Sequence, residues 1–258
     1  MDSIFRASDD DGSVTTPSVA RHPGAFPGGP TLVHADDHLL VFDKPAGLLS
    51  VPGRGAHLQD CLSARAQARW PDALVVHRLD MATSGLLLMA RGEAMQVALS
   101  KAFAAGAIGK TYEAVVQGRL APDPDAPWRE IALPLAADWP NRPRQKVDVA
   151  NGKPSRTRWR VLGLGRDWTH LALQPLTGRT HQLRVHLQAL GHPILGDALY
   201  GCERSQARAP RLLLHASRLS FTHPVLGTTL CLRSAPSFPA PEPGDGGAGL
   251  THFPGALP

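Results

Sequence analysis

Five short apolar segments recur along the middle of the chain and constrain its fold more than any other feature: HLLVFDKP (38–45), GLLLMA (85–90), TYEAVVQGRL (111–120), SRTRWRVLGL (155–164) and THLALQPL (169–176). Several alternate with period two, the spacing that turns one set of side chains towards a buried sheet face. Helical periodicity appears between them and once after the last. Leu58, Leu62 and Ala66 share a face in a segment running to Arg69, and Met95, Leu99 and Phe103 do so in EAMQVALSKAFAAG, which Gly106 stops. Leu183, Leu187 and Leu190 form a stripe in THQLRVHLQALG, with Gly191 at the C′ position. Hairpin-like strands with so few crossover helices favour an α+β fold over a doubly wound parallel sheet.

The folded part is expected to span 31–234 as one domain with two lobes, which the loop APDPDAP (121–127) is placed to join. Residues 1–30 lack periodicity and 235–258 are rich in Pro and Gly, so both are expected to be disordered. A chain of 258 residues, 43% hydrophobic, can bury a sizeable core. No apolar window is long enough to cross a bilayer, and the acidic N-terminus is unlike a signal peptide, so a cytoplasmic protein is expected. Cys61, Cys202 and Cys231 form no CxxC pair and read as free, packed thiols. The net charge of +5 is uneven: each end carries −2, which leaves +9 between 31 and 234 and points to a polyanionic partner, with nucleic acid the first candidate.

Chemistry concentrates in two places. In VVHRLDMATSGLLLMA (75–90), Asp80 follows Arg78 and His77 and precedes an apolar strand. An Asx-turn, the carboxylate accepting amides of DMATSG, explains it locally; a functional role is favoured by the rigid strand behind it and by a separate basic helix able to pair with it. In that helix His181, Arg184 and Gln188 share a polar face displaced from the leucines. A solvated amphipathic helix accounts for the face taken alone; with TGR at 177–179, Arg179, Arg184 and free N–H groups also suit phosphate. His181 and His186 lack the HExxH spacing, so no metal site is expected. HRLD without a glycine-rich phosphate loop or a DFG excludes kinase-type phosphotransfer.

Six blocks, DKPAGLLSVPG (43–53), HRLDMATSG (77–85), GKTYEAVVQG (109–118), DWPNRPRQKV (138–147), LTGRTHQLRVHLQALGHPILGDALYG (176–201) and PRLLLHA (210–216), occur in the order of the RluA family of pseudouridine synthases, which the chain resembles over nearly all of 31–234. DWPNRP resembles the subgroup that modifies both ribosomal and transfer RNA, and residues 1–30 are too short for the S4 module of larger relatives. The resemblance implies the pseudouridine synthase fold: a mixed, mostly antiparallel bipartite sheet flanked by helices, with the active-site cleft between the lobes.

It also implies that Asp80 is the nucleophile, Tyr112 the ring that stacks on the target base, Arg184 the partner of the carboxylate, and Arg78 a neighbour of the space vacated by the flipped nucleotide. The reaction breaks the N1–C1′ bond of uridine and rejoins uracil through C5 with no net oxidation, so no cofactor and no metal are expected. The implied substrates are structured RNAs, a tRNA anticodon stem-loop and 23S rRNA, bound by a monomer. Lys110, Arg142, Arg144, Lys146, Arg179 and His181 are expected to contact the RNA, mainly its phosphates. The competing reading is a non-catalytic RNA-binding module in which Asp80 is a turn residue.

Overall fold

A computed structural model describes residues 29–239 and residue 241; the disorder expected for 1–28 and 242–258 lies outside the described residues. In chain order the elements are β1 (Thr31–Ala35), β2 (Leu39–Lys44), α1 (Leu62–Gln67), β3 (Ala73–Val75), β4 (Ser84–Arg91), α2 (Glu93–Ala104), β5 (Gly109–Gln117), β6 (Arg129–Ala132), β7 (Leu135–Ala137), β8 (Gln145–Val147), β9 (Arg156–Leu164), β10 (Trp168–Pro175), α3 (Gln182–Ala189), α4 (Glu203–Gln206), β11 (Leu214–Thr222) and β12 (Thr229–Arg233). Ten strands make one sheet in the order β1-β2-β4-β11-β5-β10-β9-β6, with β3 on β4 and β12 on β11; β7 and β8 form a separate hairpin. Pairing is antiparallel throughout the large sheet except between β4 and β11. The α+β architecture read from the apolar segments is the one observed. Among the described residues, no helix is long and apolar enough to cross a membrane.

All five apolar segments contain strands. β2 and β4 read as continuous apolar runs because both of their faces are covered. Leu39, Val41, Leu86 and Leu88 meet Met95 and Leu99 of α2 on one side. Leu40, Phe42, Leu87 and Met89 meet Leu62 and Ala66 of α1 on the other. Each such Leu, Val, Phe or Met side chain, fully buried, contributes about 1.5–3 kcal/mol. In the other half, Val115, Leu171 and Leu173 pack with Leu183 and Leu187 of α3.

The structure departs from expectation at several points. Leu58 ends a separate 3₁₀ turn, Ala56–Leu58, because Cys61 is extended and caps α1, its Sγ accepting from the Ala64 amide at 3.4 Å. Residues 121–127 link β5 to β6 within one half, whereas the two halves abut where β4 runs beside β11. Only Cys61 is a packed thiol; Cys202 precedes the surface helix α4 and Cys231 lies on the edge strand β12, both exposed. The packed chain continues past Ser234: the Phe238 ring lies against those of His170 and His215, and Arg211 Nη2 donates to the Ser237 carbonyl at 2.8 Å.

Candidate active site

Asp80 sits in the segment between β3 and β4, whose backbone is pinned on both sides of it. Ser50 Oγ donates to the Leu79 carbonyl at 2.7 Å and accepts from the Leu79 amide at 3.1 Å. The Met81 carbonyl accepts from the Gly47 amide at 2.8 Å and from Lys44 Nζ at 3.2 Å. Lys44 is entirely buried and also donates to the carbonyls of Pro45 and Leu48. Burial pushes its pKa down to about 8, against the opposing pull of Asp80 and Asp43. The turn closes with the Thr83 amide on the Asp80 carbonyl, a main-chain bond. The Asx-turn is therefore not what occupies the Asp80 carboxylate.

That carboxylate meets α3. Arg184 is only 4% exposed, so the solvated-helix account fails for it, while Gln188 of the same face is exposed. Its Nη1 donates to Asp80 Oδ2 at 3.1 Å, while Nε and Nη2 form a fork on Asp197 at 2.8 and 2.7 Å. Asp197 is fully buried, and its Oδ1 also accepts the amides of Leu199 and Tyr200. Burial disfavours the Arg184 charge, but Asp197 and Asp80 outweigh it and raise the pKa further. With its N–H groups committed to two acids, Arg184 is not free for phosphate; at that end of α3 Arg179 is exposed, its Nε on the Pro154 carbonyl and its Nη groups left for phosphate.

His181 precedes α3 in the left-handed region, φ 54°, which turns its ring inwards. Its Nε2 lies 3.8 Å from Asp80 Oδ2, and its Nδ1 2.6 Å from the Tyr200 hydroxyl, which accepts the Gln145 amide. Burial, aided by Arg184, lowers the His181 pKa despite the nearby acids. The Tyr200 ring also lies 5.1 Å from the Arg184 guanidinium carbon. Tyr112 on β5 is half-buried between two apolar clusters, and burial together with Asp80 pushes its hydroxyl pKa up.

Asp80, Tyr112, His181 and Arg184 line a cleft of about 650 Å³, the size of a small-molecule site, walled by 77–80 and Thr83 from one half and 175–184 from the other. Arg78, Lys110, Arg179 and His181 line it together with Asp80, Tyr112 and Arg184. Arg142, Arg144 and Lys146 do not; they are exposed on the adjoining β7–β8 hairpin. Sequence reasoning missed Lys44, Asp197 and Tyr200. Each lies in a quoted block, and the signals were a lysine ending an apolar strand in DKPAG and an acid in GDALYG just beyond the helix.

Comparison with known proteins accords with this site. A family model described as RNA pseudouridylate synthase matches residues 38–189. The Dual-specificity RNA pseudouridine synthase RluA of Escherichia coli (strain K12) is 46% identical over 208 residues, 80% of this chain and 93% of that protein. The protein of the same name from Vibrio parahaemolyticus is 49% identical over 198 residues, 75% of this chain and 78% of that one. Among solved structures, human RNA Pseudouridylate Synthase Domain Containing 1 superposes with a TM-score of 0.65 at 28% identity, covering 81% of this chain and 85% of that one. By sequence and by fold, this chain belongs to the RNA pseudouridylate synthase family.

Proposed function

We propose that the protein isomerises uridine to pseudouridine in two structured RNAs, a tRNA anticodon stem-loop and 23S rRNA, with Asp80 as the nucleophile. The observation that carries this is the asymmetry of the Asp80 carboxylate. Oδ2 is held by buried Arg184, while Oδ1 takes no hydrogen bond among the described residues and the side chain lines the cleft. An anchored carboxylate with one oxygen to spare suits attack at uracil C6 or ribose C1′, or stabilisation of positive charge at C1′. The N1–C1′ bond breaks, the C5–C1′ bond forms, the C5 proton departs and N1 gains one. The target must leave its stack, at a cost of a few kcal/mol, roughly. Tyr112 offers a face worth about 1–3 kcal/mol to the everted base, and Arg78 adjoins the space it leaves. The dual substrate is supported by relatives named dual-specificity synthases. The enzyme acts as a monomer in the cytoplasm, with a catalytic domain that takes in 31–234 and the packed residues to Phe238.

The test is pseudouridine mapping of total RNA from cells lacking the protein, complemented with the intact chain or with Asp80→Asn. One tRNA and one 23S rRNA site should lose modification together and be restored by the intact chain alone, although purified Asp80→Asn still binds RNA. Restoration by both forms would make the protein an RNA-binding module rather than an enzyme acting through Asp80.

A further inference from the structure

The β7–β8 hairpin carries a feature the isomerisation chemistry leaves unused. Trp139 is 67% exposed, far more than a large aromatic ring with only a packing role requires. The guanidinium of Arg142 lies 4.6 Å from its ring centroid, so a cation backs the indole. The connecting turn is already ordered: the Asp138 amide donates to the Arg144 carbonyl, the Asn141 amide to the Asp138 carbonyl, and the Arg144 amide to the Asn141 carbonyl, each at 3.0 Å. Asn141 Nδ2 adds a bond to Asp138 Oδ2 at 2.9 Å. A ligand meeting this ring would not have to order a loop.

Two links tie the ring to the cleft. Gln145, at the start of β8, donates its amide to the Tyr200 hydroxyl, the group that holds His181 beside Asp80. A chain of exposed cations runs from the rim outwards. Arg179 Nε donates to the Pro154 carbonyl at 3.3 Å, Lys153 bridges to Leu135 on β7, and Lys146, Arg144 and Arg142 follow on β8 and its turn. Asp138 and Asp148 are the acids of the hairpin; the first is bonded to Asn141 and the second lies 3.9 Å from Lys146. A flat, exposed indole at the far end of a cationic track from a nucleotide-sized cleft matches single-stranded RNA, in which a base stacks while its phosphates lie along the cations.

We infer that Trp139, backed by Arg142, is a second stacking platform, which binds an unpaired base of the RNA outside the nucleotide that enters the Asp80 cleft. The inference rests on the RNA reading of that cleft. It makes the hairpin a recognition arm that contributes to RNA affinity and takes no part in bond making.

The test is steady-state kinetics of the intact chain, Trp139→Ala and Trp139→Phe on a tRNA anticodon stem-loop transcript and on 23S rRNA, with thermal melts of all three proteins. Trp139→Ala should raise KM about tenfold with kcat and melting temperature unchanged, and Trp139→Phe should recover most of the loss. Indole fluorescence of the intact chain should be quenched by the RNA more than that of Trp139→Phe. Unchanged KM for Trp139→Ala on both RNAs, with the intact chain active, overturns the platform and leaves the synthase reading standing. If the intact chain itself forms no pseudouridine in either RNA, the substrate reading falls and the platform with it.

Discussion

Arg184 divides one guanidinium between two acids, and the division explains its chemistry. The fork on Asp197 fixes the plane of the group, and that plane carries Nη1 to Asp80. A lysine ammonium is a single point and cannot form the fork and reach Asp80 together. Arg184→Lys is expected to lower kcat about tenfold to a hundredfold, the loss of one charge-assisted hydrogen bond worth roughly 1.5–3 kcal/mol. It should also lower the melting temperature, because buried Asp197 loses its fork. Turnover within about twofold of normal in a single-turnover assay would remove Arg184 from the positioning of Asp80. The i, i+3 spacing of His181 and Arg184 predicts both on one helix face, whereas the left-handed His181 precedes α3 and only Arg184 is helical; nor can periodicity say whether a polar face meets water or a buried acid.

The strand β4 shows the same division at the level of an element. Its apolar run announced a strand, and the structure shows one that is buried on both faces. What the run concealed is the parallel contact with β11, where Ser84 faces His215 and Gly85 faces Ala216. A Cβ on Gly85 would lie 2.4 Å from the Ala216 carbonyl oxygen and 2.5 Å from its nitrogen, and φ is +109°. Both atoms are backbone, so neither can move alone. Gly85→Ala should therefore destabilise the protein by about 3 kcal/mol or more, backbone strain and overpacking acting together. Gly92→Ala has a positive φ but open space around it, and it should cost only about 1–2 kcal/mol. Equal melting temperatures for the two variants would show that the approach of β11 to Gly85 is not tight. HRLDMATSG reads as a turn through Gly85, whereas the structure puts Gly85 inside β4; its contact with β11 is invisible in the sequence because its partner lies far along the chain.

Across the whole molecule, exposed cations lie both at the cleft, Arg78 and Arg179, and on the β7–β8 hairpin, Arg142, Arg144 and Lys146. RNA affinity should fall steeply with salt, and Arg144→Gln should make the slope of log K against log salt shallower by about 0.7–0.9, the release of one phosphate contact, without changing which uridine is modified. An unchanged slope in binding titrations would place Arg144 off the RNA path. Composition pointed to a polyanion, local periodicity announced the strands and the helix α3 with its terminal Gly191, and the residue types of HRLDMATSG marked the acid-bearing turn before β4. The motif order carried the family. The resemblance paired Arg184 with the Asp80 carboxylate, and the fold joins the two, 104 residues apart, by a hydrogen bond; tertiary structure alone decided that Asp197 and Tyr200 orient the arginine and His181, and that Lys44 is buried beneath the turn. The physical reason is that hydrophobic patterning records how each element divides its faces between core and surface, whereas a charged site forms where faces of distant elements converge and exclude water.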